Sequence, residues 1–547
     1  MAGIREVTAE LEKILSPDFE VARTDVNGNH IYIKTSPNKL LDAARYLLLI
    51  DARLVHVTAS DMGTKGLKVL HIYGLDHLKQ HAHIILYALV PRNAPKVPSA
   101  AALTYQASWA ERETMELLGI EFEGHPDPRH IFLPFEWPKP VESAEGEWNE
   151  VKVERRTTLP IGPYHPALVE GGYFKVKVDG EEIIDVDIKV GFNHRGVMKL
   201  AERRSFWKDI FLVGRICGIC NTPHRLTFAI TAEAIAGITP PERAEYIRTL
   251  LAELNRIHSH LLWLGIACEL IGFKTLLMWA WKIREPIQDC IELLTGNRVH
   301  MDAIIIGGVR RDVSQSQITK VEEKLKQVKK ELESLVEVVS THSLVRARTE
   351  DIGVLTLADA KNGGAVGPTA RASGWKIDVR RDSPYAAYSE EYTTWDVVVD
   401  DGKDVLARVM VRVKETLVSI DLCLQCLDAL RRVGGPVIIK DVKEFPEGEA
   451  IRKTEAPRGE LFYYLASNGS NIPQTVRIRT PSYRNIAALV FMLKGYTLSD
   501  APIIIGSVDP CFSCTDRVII VDEKKGKKVT LNYDEFMRGL AVKKLEE

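Results

Sequence analysis

Between Lys320 and Val339 the apolar residues Val321, Leu325, Val328, Leu332, Leu335 and Val339 recur at alternating gaps of four and three. That period predicts one amphipathic helix with a single buried stripe. The segment from Pro241 to Leu264 repeats the pattern, so a mainly helical region is expected beyond the first quarter of the chain. The opening reads differently. Asn29-His30-Ile31-Tyr32-Ile33-Lys34 and the run from His71 to Leu75 alternate as strands do, and with a helical stretch from Lys39 to Leu49 they predict an α+β unit. Residues 171–190 and 501–523 read as small β-rich flanks of the helical region. The longest apolar stretch, Leu261 to Trp281, contains Glu269 and Lys274 and is followed by Lys282, so it reads as a pair of buried helices rather than a membrane span. No fixed-period repeat or low-complexity tract occurs, which argues against solenoids and propellers.

The segment from Pro138 to Arg156 is charged, contains Pro138, Pro140 and Gly146, and has few large aliphatics, as linkers do. The expected division is therefore an α+β domain at 1–140, a linker at 141–155, a large, mainly α-helical domain with small β flanks at 156–517, and an extension at 518–547. The extension is rich in lysine and acidic residues, with Lys524-Lys525-Gly526-Lys527-Lys528, and reads as solvated. A chain of 547 residues with 45% hydrophobic and 27% charged side chains has the material for more than one core. Its formal net charge of -2 leaves no global basic footprint, so nucleic acid is not an expected partner. Eight cysteines without a basic-then-apolar opening segment do not make the pattern of a secreted disulfide framework, which favours the cytoplasm.

Six of those cysteines form three Cys-x-x-Cys pairs. Cys423 and Cys426 lie in Ile420-Asp421-Leu422-Cys423-Leu424-Gln425-Cys426-Leu427, a leucine-rich helical stretch without glycine or proline, and read as small core residues. The outer pairs have special backbone around them. Gly218 sits between Cys217 and Cys220, while Pro510 precedes Cys511 and Cys514 after the apolar run Ile503-Ile504-Ile505, read as a strand that the proline ends. Two such pairs converging would make a four-thiolate site, suited to zinc, an iron-sulfur cluster, or another thiophilic metal such as nickel. Structural zinc sites usually have short ligand spacing, and roughly 290 residues separate Cys220 from Cys511, so zinc is the less favoured metal.

The segment Arg215-Ile216-Cys217-Gly218-Ile219-Cys220-Asn221-Thr222-Pro223-His224 resembles the N-terminal metal signature of NiFe hydrogenase large subunits, and Asp509-Pro510-Cys511-Phe512-Ser513-Cys514-Thr515-Asp516-Arg517 resembles their C-terminal one. Arg517, where many hydrogenases have histidine, resembles the group 4, energy-converting or formate-hydrogenlyase-type enzymes. Gly162-Pro163-Tyr164-His165-Pro166, Asn193-His194-Arg195-Gly196, Gly307-Gly308-Val309-Arg310-Arg311 and Gly367-Pro368-Thr369-Ala370-Arg371 look like the complex I 49 kDa subunit and its hydrogenase relatives. Glu111-Arg112-Glu113, Gly119-Ile120, Gly124-His125-Pro126 and Trp137 look like the complex I 30 kDa subunit, with Glu116 and Leu118 where that pattern tends to have aspartate and phenylalanine. A fusion of the two modules resembles the large subunit of formate hydrogenlyase.

The resemblance implies a site as well as a fold. Cys217 and Cys511 would be terminal ligands on nickel, and Cys220 and Cys514 would bridge nickel to an iron carrying CO and cyanide. Glu170 matches the glutamate that gates protons, and a terminal thiolate, with Cys511 as the candidate, would accept the proton when H2 is split. Arg458 resembles the arginine overhanging the metals, where its fixed charge would stabilise cyanide and developing electron density. His224 is expected to hydrogen-bond a bridging sulfur, with Ser507 and Asp509 supporting the same shell. Ser259 stands where some uptake enzymes carry aspartate, so that contact is expected to be missing, and His165 would support the proton route or pack its loop.

The implied reaction is reversible proton reduction to H2. Without a ferredoxin-like cysteine cluster in this chain, electrons would come from an iron-sulfur small subunit and ferredoxin-like carriers, beside membrane ion-transporter-like subunits. The chain would then sit at the inner face of the cell membrane. A maturation endopeptidase would cut between Arg517 and Val518. Two other readings are a metal-free, complex I-like quinone-reducing subunit and a zinc-holding assembly scaffold.

Overall fold

Five strands open the fold: β1 (Glu20–Thr24), β2 (His30–Lys34), β3 (Arg53–Asp61), β4 (Leu67–Leu75) and β5 (Ala82–Val90). They pair in the order β1-β2-β5-β4-β3, antiparallel except for the parallel β2/β5 pair. This computed structural model describes residues 3–24, 30–76, 82–133, 157–162, 170–439 and 444–515. The expected linker at 141–155, the extension at 518–547, Arg517, Trp137 and the Pro163–Pro166 segment with His165 lie outside the described residues.

Helices α1 (Ile4–Leu15), α2 (Leu40–Leu49) and α3 (Tyr105–Leu118) cover one face of the sheet, burying Val7, Leu11, Leu40, Leu47 and Ala110 against Leu54, Val57 and Leu86. The alternation in β2 suggests a solvated second face, but β3 and β4 are buried at successive positions of both parities. The reason is a second sheet. Tyr32, Val55, Leu70, Ile72 and Ile85 pack on Ile451, Phe462 and Tyr464, which belong to β-strands absent from the sequence reading.

The helical region is built on α4 (Asn221–Ala236), α5 (Glu242–Leu270), α6 (Lys274–Thr295), α7 (Gln315–Thr341) and α8 (Val405–Arg432). The stripe expected between residues 320 and 339 is buried along α7, whose N-terminus carries the reciprocal Ser314/Gln317 capping box. α5 and α6 are the two helices expected from Leu261 to Trp281, separated by a short turn at Gly272. Among the described residues no helix is long and apolar enough to cross a membrane.

Two small antiparallel sheets flank the helices. One consists of β6 (Thr157–Ile161), β7 (Tyr173–Asp179) and β8 (Glu182–Lys189), in agreement with the flank expected at 171–190. The other consists of β9 (Glu447–Ala456), β10 (Gly459–Asn468) and β11 (Thr475–Arg479). The expected strand at Ile503-Ile504-Ile505 is corrected: α9 (Pro481–Met492) is followed by α10 (Ala501–Ser507) and the one-turn α11 (Phe512–Thr515). A short run of β-branched residues does not distinguish a buried strand from a buried helix. Pro502 occupies the first turn of α10, where its missing N–H costs nothing, and the three isoleucines are fully or nearly fully buried.

Candidate metal centre

Cys217 lies in the loop before α4, and Cys220 is the N-cap residue of that helix. The backbone N–H groups of Ile219 and Cys220 both point at Cys217 Sγ at 3.3 Å, a local arrangement that favours a thiolate. On the other segment, Asp509 takes a left-handed backbone (φ 54°), reversing the chain between α10 and Cys511. The reversal sets Cys511 Sγ 3.4 Å from Cys217 Sγ and 3.1 Å from Cys514 Sγ. All four thiols are buried and none is in a disulfide. The ligand atoms of Cys217, Cys511 and Cys514 all lie within 4.8 Å of one another.

The acid-base balance of these thiols tests whether a metal fits. Hydrogen bonds from Cys220, Cys511 and Cys514 pull the Cys217 thiol well below its ordinary value. The same contact with Cys217 pushes Cys220 up to about 12 and Cys511 well above its ordinary value, and burial does so for Cys514. One thiolate is thus stabilised at the expense of three thiols. A bound cation would reverse that competition, because coordinating thiols are deprotonated outright. The donor set is soft and the sulfurs are too far apart for S–S bonding, so the residues fit a thiophilic metal.

Arg458 is the second residue of the two-residue turn Pro457-Arg458 that joins β9 to β10. Its Nη1 donates to Cys220 Sγ at 2.9 Å, its Nη2 to Asp509 Oδ1 at 2.7 Å, and its Nε to the Asp509 carbonyl at 2.7 Å. Burial opposes the charge, but Asp509 and the sulfurs hold the guanidinium well above its ordinary pKa. The hairpin is fixed from behind by close backbone approach. A Cβ on Gly459, which has φ +127°, would lie 2.8 Å from Gly367 Cα, so the Gly367-Pro368 motif seats the turn. Arg371 of the same motif donates to Glu455 Oε1 at 2.8 Å and to Glu415 Oε1 at 2.7 Å.

Other expected site residues divide into two groups. His224 Nε2 lies 3.7 Å from Cys514 Sγ while its Nδ1 meets the Tyr463 hydroxyl at 2.7 Å. Glu170 accepts from Ser513 N–H at 2.8 Å and from Ser513 Oγ at 2.6 Å, and it lines a cavity of about 60 Å³ with Ser259, Trp263, Arg458, Asp509 and Cys511. Ser507, by contrast, has its hydroxyl engaged by Arg408 Nε at 2.9 Å and the Ile504 carbonyl at 2.6 Å, so it steadies α10 below the Asp509 turn. Asp509 Oδ2 and Ser259 Oγ have no hydrogen-bond partner among the described residues.

Several residues at the site were not singled out by sequence. Arg195 ties the two cysteine segments together, donating to the carbonyls of Arg215 (2.8 Å), Ile216 (2.5 Å) and Ser513 (3.1 Å). Its motif, Asn193 to Gly196, was the available signal. Ser482 accepts from Cys511 N–H at 3.1 Å, and Asn485 Nδ2 donates to the Arg458 carbonyl at 3.1 Å. His258 sits within electrostatic reach of Cys217 and 3.3 Å from Arg284 Nη2; burial lowers its pKa to about 3. No local pattern marked these three.

Residues 271–445 and 437–517 match the family described as respiratory-chain NADH dehydrogenase, 49 Kd subunit. Residues 33–144 match the 30 Kd subunit of the same enzyme, and residues 195–265 match nickel-dependent hydrogenase. The chain is 34% identical over 503 residues to formate hydrogenlyase subunit 5 of Escherichia coli strain K12, covering 85% of this chain and 88% of that protein. It is 40% identical over 367 residues to the carbon monoxide-induced hydrogenase of Rhodospirillum rubrum, covering 66% of this chain and 99% of that one. Among solved structures it resembles a chain of the membrane-bound sulfane sulfur reductase, an archaeal respiratory membrane complex. That match has a TM-score of 0.63 at 33% identity and covers 66% of this chain and 99% of the other.

Proposed function

Because the chain belongs to the family of complex I-related hydrogenase large subunits, with a 30 kDa-type unit fused ahead of a 49 kDa-type unit, we propose that it is the catalytic subunit of a membrane-associated NiFe hydrogenase, reversibly reducing protons to H2. The observation that carries the proposal is that the buried thiols of Cys217, Cys511 and Cys514, from segments nearly 300 residues apart, lie within 4.8 Å of one another, with buried Cys220 interacting with Cys217 and hydrogen-bonded by the cationic Arg458. Cys217, Cys220, Cys511 and Cys514 would hold nickel and an iron bearing CO and cyanide. When bound, such a centre supplies the redox site at which H2 is split heterolytically or formed.

The chain's own residues supply charge and protons. Arg458 keeps one positive charge against the sulfurs in a site closed to bulk water, where its electrostatic effect is large. The Cys511 thiolate is the proton acceptor, and Glu170, on the wall of the same cavity, passes the proton outward through its contact with Ser513. His224, held by Tyr463, donates toward Cys514 and tempers its basicity. Asp509 orients Arg458, and Ser507 supports the turn on which Asp509 sits.

The same reading divides the chain into units at 1–140 and 156–517, joined by a linker at 141–155. It places the protein peripherally on the inner face of the cell membrane, receiving electrons from an iron-sulfur small subunit and ferredoxin-like carriers, beside ion-transporter-like subunits. Cleavage between Arg517 and Val518 by a maturation endopeptidase would release residues 518–547. The test is metal analysis with infrared spectroscopy on anaerobically purified, processed protein. Nickel together with CO and cyanide bands is the expected result. Their absence rejects the proposal and favours a metal-free quinone reductase, and zinc without hydrogen turnover favours a scaffold.

A further inference from the structure

Helix α9 turns consecutive residues toward two different parts of the molecule. Ser482 holds the Cys511 N–H, and Asn485 holds the carbonyl of Arg458 with its Nδ2 and the Val366 N–H with its Oδ1, at 3.1, 3.1 and 3.0 Å. Between them, Arg484 reaches into the N-terminal unit. Its Nη2 donates to the carbonyls of Leu54 and Val55 in β3, at 3.1 and 2.7 Å, and its Nη1 to the carbonyl of Gln106 in α3. Tyr483, just before it, packs its ring edge-on against Trp109 at 5.5 Å and against His56 of β3 at 6.3 Å.

The same strand supports the Arg458 hairpin from its other side. Arg53, the first residue of β3, makes a two-pronged contact with Glu460, two positions beyond Arg458, at 3.1 and 2.7 Å, and a further bond to Asp76 at 2.7 Å. Lys453 and Arg479 complete the shell of cations around the Glu460 carboxylate. All of these groups are buried or nearly so, and a two-pronged arginine-carboxylate contact fixes orientation as well as distance. One strand of the N-terminal unit therefore braces both the turn that presents Arg458 and the helix that anchors Cys511.

We infer that Arg53 and Arg484 are positioning residues of the candidate metal centre, making the N-terminal unit part of the device that sets Arg458 and Cys511. The inference rests on the function proposed above for its catalytic consequence, but its mechanical content does not. A contact that merely glued two units together would have no reason to fall beside Ser482 and Asn485 and two residues from Arg458. A displacement of the order of an ångström in such groups costs activity far out of proportion to the stability lost.

The test uses the intact purified complex carrying Arg53→Met, Arg484→Met, and the conservative Arg53→Lys and Arg484→Lys. Hydrogen turnover per nickel, CO and cyanide band positions, and amide hydrogen exchange of peptides covering 456–460 and 509–514 are compared with the unsubstituted protein. The methionine variants should keep their nickel, lose about tenfold to a hundredfold in turnover per nickel, shift the bands, and exchange faster in both peptides. Arg53→Lys should recover most of the loss by restoring one donor to Glu460. Unchanged turnover per nickel, bands and exchange, with only a lowered Tm, would overturn the inference. If a methionine variant does not assemble, Arg484→Lys, whose single ammonium cannot reach the Leu54, Val55 and Gln106 carbonyls together, decides it: it should show the same losses, and unchanged turnover per nickel, bands and exchange would overturn the inference. If the unsubstituted protein itself lacks nickel, the metal proposal fails, while faster or unchanged exchange in the two peptides still supports or rejects the bracing.

Discussion

The pair Cys423/Cys426 and the outer pairs share a spacing and differ in what surrounds the sulfur. Cys423 and Cys426 occupy one face of α8 in mid-helix, fully buried, and the Cys423 thiol is directed at the Leu250 carbonyl, 3.9 Å away. Burial raises both thiols above their ordinary values and keeps them protonated. Cys217 and Cys511 instead precede a helix, with free N–H groups or a turn aimed at the sulfur, and Arg458 supplies a cation nearby. Spacing gives two sulfurs a common direction. Only the backbone and charge around them make a ligand.

The largest effect should come from breaking the outer set. Cys511→Ser replaces a soft ligand by a hard one and is expected to abolish both nickel retention and hydrogen turnover, as read by metal analysis and gas evolution on the purified protein. Full nickel loading in that variant would remove Cys511 from the proposed ligand set. Glu170→Gln comes next. It preserves shape and the ability to accept from Ser513 but cannot carry a proton, so H/D exchange with solvent should fall by roughly 10²–10⁴ while nickel content stays unchanged. Loss of nickel would make Glu170 a structural residue instead.

The two regions should also fail at opposite ends of the pH scale. His258, near Cys217, has its pKa lowered by burial to about 3, whereas an unfolded histidine titrates near 6.5. The unfolded chain therefore binds a proton that the folded one refuses. Its contribution is present above about pH 6.5 and is lost as pH falls toward 3, at up to about 1.4 kcal/mol per pH unit. For Cys423 and Cys426 the folded values are raised, so their contribution is complete below the unfolded thiol value of about 8.5 and is lost as pH rises beyond it. Melting curves of the apoprotein should show His258→Gln flattening the acid limb and leaving the alkaline limb alone.

What the sequence disclosed follows from range. The cysteine segments, Glu170, Arg458 and His224 lie in short segments with recognisable residues, and the structure brings them together. The α7 stripe was legible because a single helix decides its own burial. The sheet β9-β10-β11 was not, since its strands are buried on both faces and lose their alternation, and the isoleucines of α10 lacked a length that would separate helix from strand. Arg195 acts across some three hundred residues, and Ser482 and Asn485 across nearly thirty, through backbone carbonyls and N–H groups, which leave no mark on neighbouring sequence.

The smallest effect sharpens the comparison most. Cys423→Ala removes one sulfur from a close-packed helix contact between α8 and α5, leaving a cavity smaller than a methylene-rich side chain would, so the loss should be about 1 kcal/mol. That loss is expected in the chemical denaturation midpoint alone, with the m-value, nickel content and turnover per nickel unchanged. Cys423→Ser, at nearly the same volume, should cost more, because a hydroxyl at this depth needs a better partner than one carbonyl already spoken for within its own helix. The order Ala before Ser is what a packing role requires. The reverse order, or any loss of nickel in Cys423→Ala, would mean that this sulfur is used as a donor and that the middle pair belongs with the outer ones.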